Sequence, residues 1–563
     1  MLSFERKQIP AFAGMTIILI LGIALFIPVF AQAISIGQER SFNIQSDYDL
    51  AGQTKIETQL IKITNKLYFY ADKEWFNKLS FGNRQEIDNK LYSLANEFEY
   101  KIYPTLTNIF GSEDNPGIDN DLRIIIVLYK MKSNIGGYVQ TEDHYSNQIY
   151  PRSNMGQIIF LNAENILSLS INNLSYHLAH EFTHLITLNQ TPKEEVWLNE
   201  ARAEYTETLL GYGENWNQSN LKNRLQQFLT RTDISLLNWN NTDHDYAEVN
   251  LMAHYLTDFY GINVMADSLK SSLAGIDSLN YALKQNGFNN DFSDIFMDWL
   301  IANIVNDCSL GEKYCYQNSS LQDFTVFPYT YYLPTQGKSS LSVTDSIRAW
   351  EAKWQKITGG LGIIKLKFTI PGQTSINKIP YIIESVDNKR TIGFLDFSKV
   401  NIQELYIEGM GTKNKAIYFI PFLGSTGEQE ETCYYSWEAV NVESTKQQEE
   451  EIIQALLKKI DELKRQIVML QTQLAMQKTY QENISCSVFS QDLYYGMNSG
   501  QVKCLQQFLA NLENNIYPEK LITGYYGPLT LAAVQKYQAF KGIITTGYFG
   551  PLTRAESNIE FKI

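Results

Sequence analysis

A chain of 563 residues is too long for one hydrophobic core, so roughly two to four domains are expected. With 44% hydrophobic and 19% charged residues it is ordinary globular protein, which excludes a disordered chain. The formal net charge of -14 excludes a nucleic-acid partner, because phosphate binding needs a basic surface.

Arg6 and Lys7 precede an apolar run from Met15 to Phe30, and Ala31-Gln32-Ala33 supplies a small-x-small cleavage pattern. Residues 1–33 therefore read as a secretory signal peptide. The competing reading is an uncleaved anchor, since Met15–Ile36 comes close to the length of a membrane span. Either way the rest of the chain is expected outside the cytoplasm. Five cysteines fit that compartment, with Cys308–Cys315 and Cys486–Cys504 as candidate pairs and Cys433 left over.

Residues 55–306 read as mixed α/β. Apolar runs such as Arg123–Leu128 and Gln157–Leu161 predict strands, and longer helical stretches follow. The strand over Gln157–Asn162 is expected to line a cleft, where a sheet edge pairs with an extended substrate. His180-Glu181-Phe182-Thr183-His184 places two histidines four residues apart on one helical face, with a carboxylate beside them. The two imidazoles can reach one metal ion, while Glu181 can take a proton from water on that metal. The bland alternative is a buried helix whose polar residues satisfy core hydrogen bonds.

A catalytic zinc takes three protein ligands and keeps one open position. Downstream, Trp197-Leu198-Asn199-Glu200-Ala201-Arg202-Ala203-Glu204 offers two carboxylates four apart on one helix face, and Pro192 marks a loop between the segments. One of these can bind metal while the other supports a ligating histidine. Asp114, Asp119 and Asp121 around Pro116-Gly117 match no calcium-loop spacing and read as a solvated turn. His177 lies one turn back from His180 and reads as a packing residue.

These motifs resemble those of the gluzincins, zinc metallopeptidases with two histidines and a distant glutamate on the metal. The hyicolysin-like neutral peptidases are the nearest likeness, since Leu67-Tyr68-Phe69-Tyr70 and Ile158-Ile159-Phe160-Leu161-Asn162 also fit them. The likeness spans residues 55–306 and implies an α/β catalytic domain that uses Zn2+. It implies His180, His184 and Glu200 as metal ligands, Glu204 as their outer partner and Glu181 as general base. Tyr246 stands where similar proteins carry a tyrosine that donates to the developing oxyanion, with His254 and Tyr205 as rivals. The gap from His184 to Glu200 is shorter than in thermolysin or the gluzincin aminopeptidases, which leaves the choice between Glu200 and Glu204 open.

Residues 336–443 change to short strands. Ile364–Ile370 alternates apolar and polar residues, and a β-sandwich domain is expected. Over residues 446–478, Ile453, Ile460, Ile467 and Leu474 recur every seven residues, interleaved with Leu456, Leu463 and Leu470. That pattern predicts a parallel coiled coil pairing two chains as a homodimer, or else a solvated helical spacer.

Residues 486–563 contain a repeat: Thr523-Gly524-Tyr525-Tyr526-Gly527-Pro528-Leu529-Thr530 returns as Thr546-Gly547-Tyr548-Phe549-Gly550-Pro551-Leu552-Thr553. Together with Leu493, Gly496, Val502, Leu505-Gln506, Leu509, Ala533-Val534 and Gln538, the unit resembles the small all-α peptidoglycan-binding domain. The likeness implies peptidoglycan as a partner. The whole chain thus reads as a multidomain, secreted, wall-associated peptidase acting on protein or peptide. The alternatives are a non-catalytic wall-binding protein with a vestigial peptidase domain, and a peptidase acting on peptidoglycan stem peptides.

Overall fold

Buried apolar runs pair into the central sheet of the N-terminal half. The computed structural model describes residues 34–335, 339–371, 376–424, 432–442, 453–454, 457–467, 469–470, 486, 488–512 and 515–560. The expected signal peptide, residues 1–33, lies outside them, as do Leu456 and Leu474. Two compact units divide at Glu443. No helix among the described residues is long and apolar enough to cross a membrane.

Six strands form the first sheet: β1 (Glu39–Asn43), β2 (Lys55–Ile63), β3 (Leu67–Asp72), β4 (Ile124–Tyr129), β5 (Gly137–Val139) and β6 (Ile158–Asn162). Their spatial order is β1-β2-β3-β4-β6-β5. β3, β4 and β6 run parallel. Successive residues on these strands feed two different cores. Leu67, Phe69, Ile126, Leu128 and Leu161 meet the helices, whereas Tyr68, Tyr70, Val127, Tyr129 and Phe160 face the opposite layer with Phe42 and Ile44. Burial on both faces explains why the strands read as unbroken apolar runs without alternation.

The expected edge strand Gln157–Asn162 is not an edge. β6 is flanked by β4 and β5, and the three-residue β5 carries the free side. Gly137-Tyr138-Val139 is too short to show any periodicity, so the true edge has no sequence signature.

Three helices matter to the site: α1 (Ile171–Gln190), α2 (Val196–Leu209) and α3 (Asp243–Tyr260). Ser170 caps α1 by accepting the Asn173 amide, and Thr242 with Asp245 forms a capping box on α3.

Nine strands follow: β7 (Tyr329–Leu333), β8 (Ser340–Arg348), β9 (Gln355–Gly359), β10 (Gly362–Thr369), β11 (Lys378–Ser385), β12 (Arg390–Asp396), β13 (Ile402–Met410), β14 (Asn414–Phe419) and β15 (Thr432–Val442). β10 alternates buried and half-buried residues along its length. The expected β-sandwich is modified in one respect. The strands belong to one hydrogen-bonded sheet, joined at a corner where β13 and β14 pair through one residue of each, Met410 and Asn414, and it closes barrel-like over one core. Trp350, Trp354, Tyr418 and Phe422 extend the helical core into this sheet, and the Trp354 indole donates to the Leu300 carbonyl at 2.9 Å. Cys308–Cys315 is a disulfide, and Cys433 is a buried thiol.

In the second unit, the described heptad positions Ile453, Ile460, Leu463, Ile467 and Leu470 are helical and exposed. Helices α4 (Gly500–Asn511), α5 (Pro528–Phe540) and α6 (Pro551–Glu560) enclose a small core of Leu493, Leu505, Leu509, Tyr526, Val534, Tyr537 and Phe549. Cys486–Cys504 is disulfide-bonded.

Candidate metal centre

Helices α1 and α2 bring His180, His184 and Glu200 together, with one ligand atom of each within 4.8 Å of the others. Glu200 Oε2 stands 3.3 Å from His180 Nε2 and 3.6 Å from His184 Nε2. Ligands on a tetrahedral zinc with bonds of ~2.1 Å are separated by about 3.4 Å, so the spacing suits such an ion. All three side chains are only 12% exposed. Glu200 Oε2 is buried and no hydrogen bond satisfies it. A buried, unsatisfied carboxylate oxygen is costly unless a cation completes it. The donor set fits a dication, and it is the one such group of three among the described residues.

The tautomer of His184 follows from its neighbour. Nδ1 lies 3.0 Å from Asn199 Oδ1, an acceptor, so Nδ1 carries the proton and Nε2 presents a lone pair toward Glu200. Asn199 is thus the residue that orients this histidine, a role not assigned to it by the Asn-Glu-Ala motif in which it stands.

Glu204 is not in the trio, and its hydrogen bonds differ from the expected one to a histidine. It accepts from Arg224 at 2.8 and 3.0 Å, from Asn220 at 2.7 Å and from Asn250 at 3.1 Å. Burial raises its carboxyl, but Arg224, His180 and Asn220 override that and hold it at about 2. A longer-reaching arginine from the helix Asn220–Thr230 takes the bidentate position. Glu204 therefore acts on His180 through its charge.

Glu181 is buried beside the trio. Burial, together with the Glu200 charge and against the pull of His184, pushes it up to about 8. A nearby dication opposes this rise. Gly137 of β5 lies against it, where an added Cβ would stand 3.1 Å from Glu181 Cγ. Gly136 likewise leaves room for the His177 ring, 2.8 Å from a Cβ built there. His177 is thereby a packing residue, outside the ligand group.

Tyr246 sits on α3 with its hydroxyl donating to Asn241 Oδ1 at 2.9 Å and the Arg224 guanidinium 4.9 Å from its ring. Burial and the charges of Glu200, Glu204 and Glu181 push its pKa far up, so the phenol keeps its proton. Its rivals pack on each other. Tyr205 and His254 pack edge-to-face at 5.0 Å, and His254 is buried next to Thr208. A second phenol, Tyr48, stands within electrostatic range of Glu181 and Glu200 and packs on Tyr138 of β5 at 4.9 Å. It comes from the loop after β1, more than a hundred residues from the motif, and no local pattern marks it. The acidic turn is satisfied internally: Asp119 accepts the Asp121 amide, and Asp121 accepts from Arg123 and Tyr68.

Residues 498–556 match the family described as "Putative peptidoglycan binding domain". No curated protein matches the chain. Solved structures similar to part of it include PliG of Aeromonas hydrophila, a periplasmic inhibitor of g-type lysozyme, at 11% identity, covering 20% of this chain and 100% of that one with a TM-score of 0.15. The pre-peptidase C-terminal domain of a Bacillus anthracis collagenase is 7% identical, covering 20% of this chain and 95% of that one, also with a TM-score of 0.15. Scores this low bear on no function. The chain carries a peptidoglycan-binding domain, and that domain associates it with the cell wall.

Proposed function

We propose that the protein is an exported, wall-associated zinc metalloendopeptidase of the gluzincin type. The observation that carries the reading is the buried Glu200 oxygen, without a hydrogen bond, facing the Nε2 atoms of His180 and His184. Zn2+ held by these three would supply a Lewis acid that polarises a peptide carbonyl and acidifies water. Glu181 takes the proton of the attacking water and delivers it to the leaving amine. Tyr246, which keeps its proton, donates to the oxygen where negative charge develops. An extended peptide adds to the free side of β5, which runs beside Glu181. The peptidoglycan-binding domain holds the enzyme at the wall, where neighbouring proteins are its substrates.

The test combines metal analysis of the purified chain with digestion of a soluble unfolded protein. Glu181→Gln is expected to keep the metal and lose on the order of 1,000-fold in turnover. A parent chain that holds no metal and cuts no peptide would make it a non-catalytic wall-binding protein. Release of stem peptides from pure wall, with no protein digestion, would move the substrate to the polymer.

A further inference from the structure

The repeated Thr-Gly-Tyr-aromatic-Gly-Pro-Leu-Thr sequence builds two equivalent turns, and each is clamped by a buried glutamine. The Gln506 side-chain amide donates to Thr523, the Tyr525 carbonyl and Thr530, and its oxygen accepts the amides of Thr523 and Gly524. Gln538 does the same in the second turn with Thr546, the Tyr548 carbonyl, Thr553 and the Gly547 amide. The first glycine of each turn has positive φ, 84° at Gly524 and 70° at Gly547. The second aromatic, Tyr526 or Phe549, is fully buried. Pro528 and Pro551 start the helices that follow. Nearly every repeated position is thereby used by the scaffold.

Two positions are not, and one of them is the exposed leucine after the proline, Leu529 or Leu552. Tyr525 and Tyr548 are 45% and 44% exposed, and each ring lies over the second glycine of its own turn. A Cβ added at Gly527 would come within 3.3 Å of the Tyr525 ring, and one at Gly550 within 2.5 Å of the Tyr548 ring. The stretch Leu493–Asn498 lies between the two turns, bridging to Phe549 at one end and Tyr525 at the other. It presents Tyr494, whose ring stacks on Tyr548 at 6.5 Å with 25° between planes. Tyr548 donates to Asp492 at 2.8 Å, and Arg554 binds the other oxygen of that carboxylate. An isolated exposed tyrosine needs no explanation. Here the same position of two turns seats a flat, fixed ring, and a third ring stacks beside the second.

We propose that Tyr494 and Tyr548 form a shelf that binds the glycan strands of peptidoglycan, with Tyr525 on the neighbouring turn as a further contact. Sugar rings present C–H faces that pack on fixed aromatic rings, and the Tyr548 phenol oxygen, although its proton goes to Asp492, can still accept from sugar hydroxyls at the edge. The Arg554 guanidinium has N–H donors beyond those used by Asp492, which suit the N-acetyl carbonyls of amino sugars. The proposal rests on the peptidoglycan-binding domain and is independent of peptidase chemistry.

The full-length chain is pelleted with purified insoluble peptidoglycan, and in parallel with glycan strands freed of stem peptides by an amidase. The parent binds both. Tyr494→Ala and Tyr548→Ala each lose about tenfold in affinity for both polymers, while their thermal unfolding matches the parent. Gly550→Ala loses affinity although every tyrosine remains, because its Cβ displaces the Tyr548 ring. Tyr548→Phe stays within about threefold, since the ring is kept. Phe540→Ala removes an equally exposed ring at the far end of α5 and changes nothing. Parent-like binding by the Tyr494→Ala, Tyr548→Ala double variant overturns the shelf, as does a parent that fails to pellet. Binding that disappears when the stem peptides are removed overturns the glycan as ligand.

Discussion

The candidate metal centre and the C-terminal turns both announce themselves in the sequence, one as a motif and the other as a repeat, yet the two signals mean different things. In His180–His184 the residues of the motif are the ones proposed to act, and their supports are drawn from elsewhere: Asn199, Arg224 and Asn250. In the turns the repeated residues are mostly supports. Gln506, Gln538 and the two threonines that meet each of them close hydrogen bonds inside the unit. A metal demands particular donor atoms at fixed spacing, so its ligands are conspicuous. A flat binding surface demands only that rings be held in place, so the scaffold is what repeats.

The comparison is tested most strongly at Tyr246. Tyr246→Phe removes one hydroxyl from the proposed reacting site and is expected to cost about 100–1,000-fold in kcat with metal content unchanged. A loss below about tenfold would return the donor role to another group, and Tyr48 is the phenol placed to take it.

Next in size is the pair of clamps. Gln538→Ala leaves several buried donors and acceptors unsatisfied, at about 1–3 kcal/mol for each group left without a partner. The C-terminal unit should melt earlier while peptidase activity on a soluble substrate stays at the parent level. If Gln538→Ala instead weakens wall binding with no change in unfolding, the repeat is a contact surface and the contrast with the metal motif fails.

A smaller effect separates the supports of the metal centre. Asn199→Ala frees the His184 ring and should weaken zinc about 10–100-fold in a chelator competition. Glu204→Ala should weaken it through His180, and in addition should destabilise the fold, because Arg224 is then buried without its bidentate partner. Equal unfolding of the two variants would show that Glu204 has no structural part.

Much of this was legible in the sequence, and the rest was hidden for identifiable reasons. The buried strands Leu67–Ala71 and Ile124–Tyr129, the alternation in Ile364–Ile370 and the meeting of His180, His184 and Glu200 all rest on local periodicity or fixed spacing. The edge strand Gly137–Val139 is three residues long and carries no period. Tyr48 and Arg224 reach the site from distant segments, and only the fold brings them in. The closing of the second sheet depends on a corner made by one residue pair, Met410 and Asn414, which alternation cannot reveal.

A buried carboxylate oxygen without a hydrogen bond does not by itself mark a metal, and Glu248 shows the difference. Its Oε2 is also buried and unsatisfied, yet it belongs to no group of converging ligands among the described residues. Burial and the charges of Asp245 and Glu351, partly offset by Arg348, push its pKa well above the ordinary 4.5. A carboxyl raised in the folded state favours folding while it is protonated. That contribution is fully present below about pH 4.5 and is lost as pH climbs from there toward the folded value. Glu248→Gln keeps the shape and stays neutral at every pH. It should therefore unfold at a higher temperature than the parent at pH 8, by a margin on the order of 1 kcal/mol, with the gain shrinking to nothing near pH 4.5. Glu200→Gln, made as the counterpart, should lose metal and show no such pH-dependent gain over the metal-loaded parent. A Glu248→Gln chain that is less stable than the parent at pH 8 would mean that Glu248 is ionised and paired in the fold. The contrast between the two carboxylates would then fall.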